Sequence, residues 1–525
     1  MGEHEPRRRW WRLRRGTPKA GGTVSVDYEK DGTRVVSRNF TDASGKQRMT
    51  RHSFPDAVQH HYRPTDTDDD SDVLLYAGEL SFPGEEHRPY VGDVTFTWRR
   101  TPRIRVRGTR AVDGTGIEEY FSPPPGGSMW VDVQGVVIAL QDGKIPDQPN
   151  ELAPAETFAG SSLHVDERVD QQVGDATELE EVTFLVPNGW QAHDETRIFD
   201  PEDVGHTWHG RTQAQGDGWT VVFDRNRTAD SKAWETLKRS GGHRFTHVGR
   251  LTRTDGASFS GEGALEALER VRLGLCLALG RRTTCVLPVG RRGGQPVWAL
   301  WRGNPVDSYS NASHWLDSST CSKQLAEIVS RVLEFSNDAT RLETLTHALS
   351  YYVAANVDVD VHLQVSLPVS GLQLLTYYQF VTDGPHTAKE WEALVPKERG
   401  TEWELRQLLS KMNVSVPMPP HFQNLAAVQR RLATSGAQRD ALGVVIKMRN
   451  VATHPTKDQP GNYSIYQWAE AGMLARYWLG LALLHTIGYR GDIAAILQAR
   501  PRETGELRSV PWASAWSAGL SPSGP

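Results

Sequence analysis

Arg449, Asn450, Thr453 and His454 fall within one short run that Pro455 closes. A permanent cation and a titratable imidazole this close make a candidate phosphate-handling site. Histidine titrates near neutral pH, so it can take or give a proton. Arginine presents a planar fork of donors to phosphate oxygens, where negative charge builds in the transition state. Asn450 precedes His454 by four residues, so on a continuing helix its amide can orient the imidazole or hold a phosphate. Capping of the helix end is the equal alternative for Asn450. Thr453 adds a hydroxyl beside the pair.

The element that must carry these groups is a helix. Leu442, Val445, Ile446 and Arg449 share one face at offsets of three, four and seven. An arginine thereby extends an apolar stripe, and a buried guanidinium must be paired or face a cleft where an anion meets it. Pro455 prevents a regular helix from running far beyond His454. On an undistorted helix Arg449 and His454 would point about 140° apart. The helix must therefore end or distort between them, or a second copy of the chain must complete the site.

Charge gathers around the same stretch. Residues 421–460 hold Arg430, Arg431, Arg439, Lys447, Arg449 and Lys457 against Asp440 and Asp458, in a chain of net charge −5. Arg430, Arg431, Arg439 and Lys447 are the candidates for binding RNA phosphates. The competing account is a solvated basic surface around an arginine that caps helix carbonyls.

A chain of 525 residues with 38% hydrophobic residues supports about three domains. Its mild acidity gives no global sign of nucleic-acid binding, so such a role must come from a local patch. Cys276, Cys285 and Cys321 have no metal-like spacing, and their odd number suits a reducing cytoplasm. No apolar run reaches membrane-spanning length; Trp478 to Leu484 reads as a buried helix.

Residues 1–20 form a basic tail in which Trp10 and Trp11 interleave with arginines, read as disordered. Period-two patterns over 21–250, such as Thr23 to Tyr28, Asp93 to Trp98, Val182 to Val186 and Trp219 to Phe223, predict a β-rich, sandwich-like domain. Three tempting motifs there and nearby lack a requirement of their chemistry. The acidic run Asp66 to Asp72 lacks the glycine and terminal glutamate of a calcium loop. His206 and His209 lack a third metal ligand, and Gly290 to Gly294 lacks the lysine of a phosphate loop and reads as a hairpin turn. Residues 251–330 read as an α+β connector, with a helix on Leu265, Leu268, Leu275 and Leu279 that Gly280 stops. Residues 331–500 read as an all-α bundle of five or six helices, and 501–525 as a tail.

The run Lys447-Met448-Arg449-Asn450-Val451-Ala452-Thr453-His454-Pro455, with an apolar helix before it and a long apolar helix ending at Gly488 after it, resembles a HEPN domain. More narrowly it resembles the ApeA-like branch of bacterial anti-phage proteins, in which a β-rich region precedes a C-terminal HEPN bundle. The family motif is an arginine, often a polar follower, and a histidine after four to six intervening positions, matched here by Arg449, Asn450 and His454. Arg341 and His347 repeat the spacing without the polar follower or the helix break.

The resemblance implies a metal-independent endoribonuclease without cofactors, active as a homodimer or higher oligomer whose paired motifs face one cleft. The implied products are a 2′,3′-cyclic phosphate and a 5′-hydroxyl, with Arg449 and His454 catalytic. RNA is the implied substrate, tRNA among the candidates. The β-rich region would sense a phage-derived trigger or restrain a toxin in abortive infection. The alternative is a non-catalytic HEPN scaffold that binds RNA or protein.

Overall fold

The structure is a computed structural model that describes residues 23–28, 34–41, 47–62, 72–81, 90–98, 102–110, 137–138, 162–165, 171–201, 206–310, 315–317, 319–357, 359–397, 400–434, 439–453, 463–494, 497 and 507–513. The basic tail, most of the acidic run, Lys457, Asp458 and His454 lie outside the described residues. The chain divides into two compact units, Met1–Ala57 with Arg197–Trp208, and Val58–Thr196 with His209–Pro525.

In the first unit, β1 (Thr23–Tyr28), β2 (Arg34–Thr41) and β3 (Gln47–Phe54) form an antiparallel meander. The Phe54 and Phe199 rings meet at 5.4 Å, and backbone bonds join Ala57 and Pro55 to Phe199.

The second unit opens with β4 (Val73–Ser81), β5 (Tyr90–Thr97), β6 (Arg103–Arg110), β7 (Val137–Ile138) and β8 (Ser162–Val165), an antiparallel sheet in the order β7-β4-β5-β6-β8. There follow β9 (Gln171–Gly174) and β10 (Glu181–Pro187). Next come β11 (Thr196–Phe199), which falls almost wholly in the first unit, β12 (Thr207–Gly216), β13 (Trp219–Arg225), β14 (Phe245–Arg253), β15 (Val286–Arg292) and β16 (Gln295–Trp301). With β12 taken from His209, the strands of the second unit run in the order β12-β13-β14-β10-β15-β16-β9.

Alternation along the strands gives this larger sheet two buried faces. Val182, Phe184 and Val186 of β10 and Trp298 and Leu300 of β16 enter the core shared with the helices. Leu185 of β10 and Ala299 and Trp301 of β16 enter a second core with Val73, Leu75, Val94, Phe96 and Ile104 of the smaller sheet. The two sheets thus face each other across an apolar layer, as the period-two pattern predicts.

Helix α1 (Ser231–Ser240) interrupts the β-rich region where no helix is expected; Asp230 caps its start and Gly241, at φ 67°, its end. Helix α2 (Gly261–Leu279) stops at Gly280, as its pattern predicts. The hairpin that follows, with Gly293 and Gly294 at positive φ, is not set apart with α2 as a connector: β15 pairs with β10, so the hairpin completes the sheet. The separation of Leu185 from its partner Val286 along the chain conceals this long-range pairing.

The helical region comprises α3 (Cys321–Phe335), α4 (Ala339–Asn356), α5 (Leu363–Tyr377) with a π-helical turn at Tyr378–Thr382, α6 (Ala388–Leu394), α7 (Gly400–Lys411), α8 (Gln423–Thr434), α9 (Ala441–Thr453) and α10 (Ile465–Thr486). A short pairing of β17 (Asp492–Ala494) with β18 (Leu507–Ser509) follows. Helix α5 packs against α4 and α10, and α9 touches α5, α7, α8 and α10. Met473 of α10 is 39% exposed, because Trp468, Ala471, Leu474, Ala475 and Trp478 take the buried face. No helix among the described residues is long and apolar enough to cross a membrane.

Candidate functional site

Helix α9 begins at a polar anchor. Asp440 Oδ1 accepts from the Gly443 N–H at 3.0 Å, which satisfies a free donor of the first turn. Its carboxylate also meets Arg406 Nη1 at 2.6 Å, and Arg406 Nη2 reaches Glu402 Oε1 at 3.1 Å. Burial opposes ionisation of Asp440, but the bonds from Arg406 and the Gly443 N–H outweigh it and hold its pKa below the usual carboxylate value.

From there α9 is apolar nearly all round. Leu442, Val444, Val445, Ile446 and Met448 are buried, so Arg449 is the half-buried residue at which the helix turns from core to polar surroundings. Its Nη1 donates to Asn450 Oδ1 at 3.2 Å, while its Nε is buried and has no hydrogen-bond partner among the described residues. Thr453 Oγ1 donates to the Arg449 carbonyl at 3.1 Å. Asn450 therefore orients the guanidinium, and Thr453 holds the last turn closed; neither residue caps a broken helix before 453.

The structure brings Arg449, Asn450 and Thr453 together and separates the other basic candidates by role. Arg439 Nη1 bonds Glu402 Oε2 at 2.7 Å, and the Arg439 carbonyl accepts from Gln429 Nε2 at 2.7 Å. Its charge is thus spent within the fold rather than offered to phosphate. Arg431 lies over the Tyr463 ring at 5.1 Å, Arg430 is exposed on α8, and Lys447 is half-buried on α9. The repeat of the motif spacing at Arg341 is occupied otherwise: Arg341 lies 3.6 Å from Asp383 and covers the Phe335 ring.

A second polar cluster has no local spacing to announce it, because its members come from distant parts of the chain. Glu195 Oε2 stands 3.5 Å from Arg225 Nε, and Oε1 stands 4.0 Å from His247 Nε2. Neither Glu195 oxygen accepts a hydrogen bond among the described residues. His247 stacks on Trp190 at 3.8 Å. Burial pushes the Glu195 carboxyl up to about 8 and pushes His247 well below its usual value, so both are neutral at pH 7. His209, one of the two histidines weighed as metal ligands, hydrogen-bonds the Glu195 carbonyl through Nδ1 at 2.8 Å. No group of three or more His, Cys, Asp or Glu among the described residues could hold a metal ion. Cys276, Cys285 and Cys321 are buried and unpaired with one another.

In class, this is a β-rich chain with a helical C-terminal region, and the comparisons give both parts counterparts. Residues 174–312 match the model of the YopA central domain, and residues 338–507 match that of the YopA C-terminal domain. The chain is similar to the SPbeta prophage-derived uncharacterized protein YopA of Bacillus subtilis (strain 168), at 22% identity over 304 residues. That match spans 58% of this chain and 66% of the relative. No solved structure matches.

Proposed function

We propose that the end of α9 is half of a HEPN-type ribonuclease site in an ApeA-like protein, completed by a second copy of the chain. The observation that carries this reading is Arg449 itself: its Nε is buried without a hydrogen-bond partner among the described residues, while Asn450 steers the rest of the guanidinium. Leaving a buried donor unsatisfied costs about 1–3 kcal/mol, which an incoming phosphate would recover.

In the proposed reaction, one His454 removes the proton of the ribose 2′-hydroxyl, and that oxygen attacks the adjacent phosphorus. The bond from phosphorus to the 5′-oxygen breaks, and the other copy's His454 protonates the leaving oxygen. Arg449 stabilises the charge on the phosphoryl oxygens between these events. The products are a 2′,3′-cyclic phosphate and a 5′-hydroxyl, and the side chains supply both proton transfers without a metal or cofactor. The protein acts in the cytoplasm, with the β-rich region as sensor or restraint. That the matching relative is prophage-derived fits a role in contests between phages and their hosts.

The test is incubation of total cellular RNA with wild type, Arg449→Ala and His454→Ala in EDTA, after activation in phage-infected cells. Cleavage by wild type alone supports the reading. Equal cleavage by all three, or RNA binding by all three with no cleavage, overturns it; the latter marks a non-catalytic scaffold.

A further inference from the structure

A cavity of ≈ 580 Å³ lies between α2, the start of β15, the segment after β16 and α4. Its volume is that of a small-molecule site, and its shape is that of a trough. Leu265, Leu268, Leu273 and Cys276 line it at helical offsets, so it follows one face of α2 for roughly 16 Å. Thr346, Leu349, Ser350 and Val353 of α4 form another wall, again along one side of a helix. The two walls fall in the two segments matched by family models, the central one and the C-terminal one.

Depth sorts the lining by polarity. Leu268, Leu273, Leu287, Leu300 and Leu349 are buried, and they make the floor with the Cys276 and Cys285 thiols. Burial raises the pKa of both thiols, so they stay uncharged at neutral pH. The charged residues of the lining, Glu269, Arg272, Arg282 and Arg302, are all half-buried or exposed, and Arg272 closes on Glu269 through a fork whose Nε bond is 2.7 Å. Charge therefore stands at the mouth, and the floor is aliphatic.

One floor residue is held in place at a cost. Leu287 has φ 52°, a left-handed conformation that crowds the Cβ of a leucine. Its backbone is fixed by His60, whose Nε2–H donates to the Leu287 carbonyl at 2.9 Å while its Nδ1 accepts from the Tyr62 N–H at 3.1 Å. Strain of this kind persists where the surroundings over-determine it, and ligand sites are among the places where it gathers. A preformed trough selects by shape. An extended alkyl chain makes contact along its whole length, whereas a compact molecule of equal carbon count leaves part of it empty. We propose that the trough binds the unbranched alkyl chain of a free amphiphile, laid along α2 with its polar head at the mouth. Such a ligand bridges the central and C-terminal segments and ties the position of α4, which packs on α5, to occupancy of the cavity. The inference does not depend on ribonuclease activity.

The experiment is calorimetric titration of the full chain with hexanol, octanol and decanol, each below its solubility limit, and with 1-adamantanol, which folds the carbon count of decanol into a compact cage. All four heads are uncharged hydroxyls, so the charges at the mouth do not decide the result. The expected result is one saturable site per chain, with affinity rising about tenfold for each two added carbons and adamantanol binding about tenfold or more weaker than decanol. Ser350→Trp and Thr346→Trp, made separately on the α4 wall, each weaken decanol about tenfold or more. Circular dichroism melts select the folded variants, and the chain-length series on wild type tests the proposal without them. Affinity that is flat with chain length, adamantanol binding as tightly as decanol, several weak sites per chain, or undiminished binding by the folded variants overturns the proposal.

Discussion

Glu402 of α7 and Arg439, just ahead of α9, form an ion pair of 2.7 Å between side chains that are 11% and 22% exposed. The same carboxylate also receives Arg406, which bridges on to Asp440. A stretch that is strongly basic by count is therefore locally neutral where α9 starts, and its cationic character is confined to residues further along α8 and α9.

Removing Glu402 leaves the half-buried Arg439 guanidinium without its counter-charge. Glu402→Ala should destabilise the protein by about 1–2 kcal/mol, between the values for exposed and buried pairs, whereas Arg430→Ala, on the exposed face of α8, should change stability by no more than about 0.5 kcal/mol. Urea denaturation of both variants checks this; similar midpoints would remove the structural role assigned to Glu402.

Arg449 should show the opposite balance of stability and function. Because its buried Nε is unsatisfied, Arg449→Met is expected to raise stability by about 1 kcal/mol while lowering RNA cleavage by about 10²-fold or more. Arg449→Lys keeps the charge and loses the planar fork, so it should recover little activity. Melting temperature and single-turnover cleavage, measured on the same samples, separate the two effects.

Glu195 makes stability depend on pH. In the unfolded chain its carboxyl ionises near 4.5, whereas in the fold it holds its proton up to about 8. The folded state thus binds the extra proton between these values, and stability contributed by the neutral group is lost as pH rises from about 4.5 through about 8. Glu195→Gln carries no titrating proton, so its stability should decline less across this window. Denaturant midpoints at pH 5, 7 and 9 report it, and an unchanged slope in the variant would refute the assignment.

Gly480 of α10 lies against Trp315: a Cβ there would stand 2.1 Å from the indole Cζ2. Trp315 is 1% exposed and has nowhere to move without disturbing the shared core. Gly480→Ala should cost about 1–3 kcal/mol by overpacking, despite the better helix propensity of alanine. A stabilised variant would show that the indole can retreat.

Local pattern was enough wherever one short segment decides its own state. The alternation in Val182 to Val186 gives β10, and Gly280 ends α2. The candidate chemistry was legible for the same reason, since Arg449, Asn450 and Thr453 sit within a little more than one turn of α9. The tertiary structure decided what depends on distant partners. It joined the 286–301 hairpin to β10, turned Met473 outward, gave Arg439 to Glu402, and gathered Glu195, Arg225 and His247 into one buried cluster. Periodicity states which faces are apolar, but which residue finally meets a charge or an oxygen is set by contacts between segments up to hundreds of residues apart, and spacing along the chain carries no record of them.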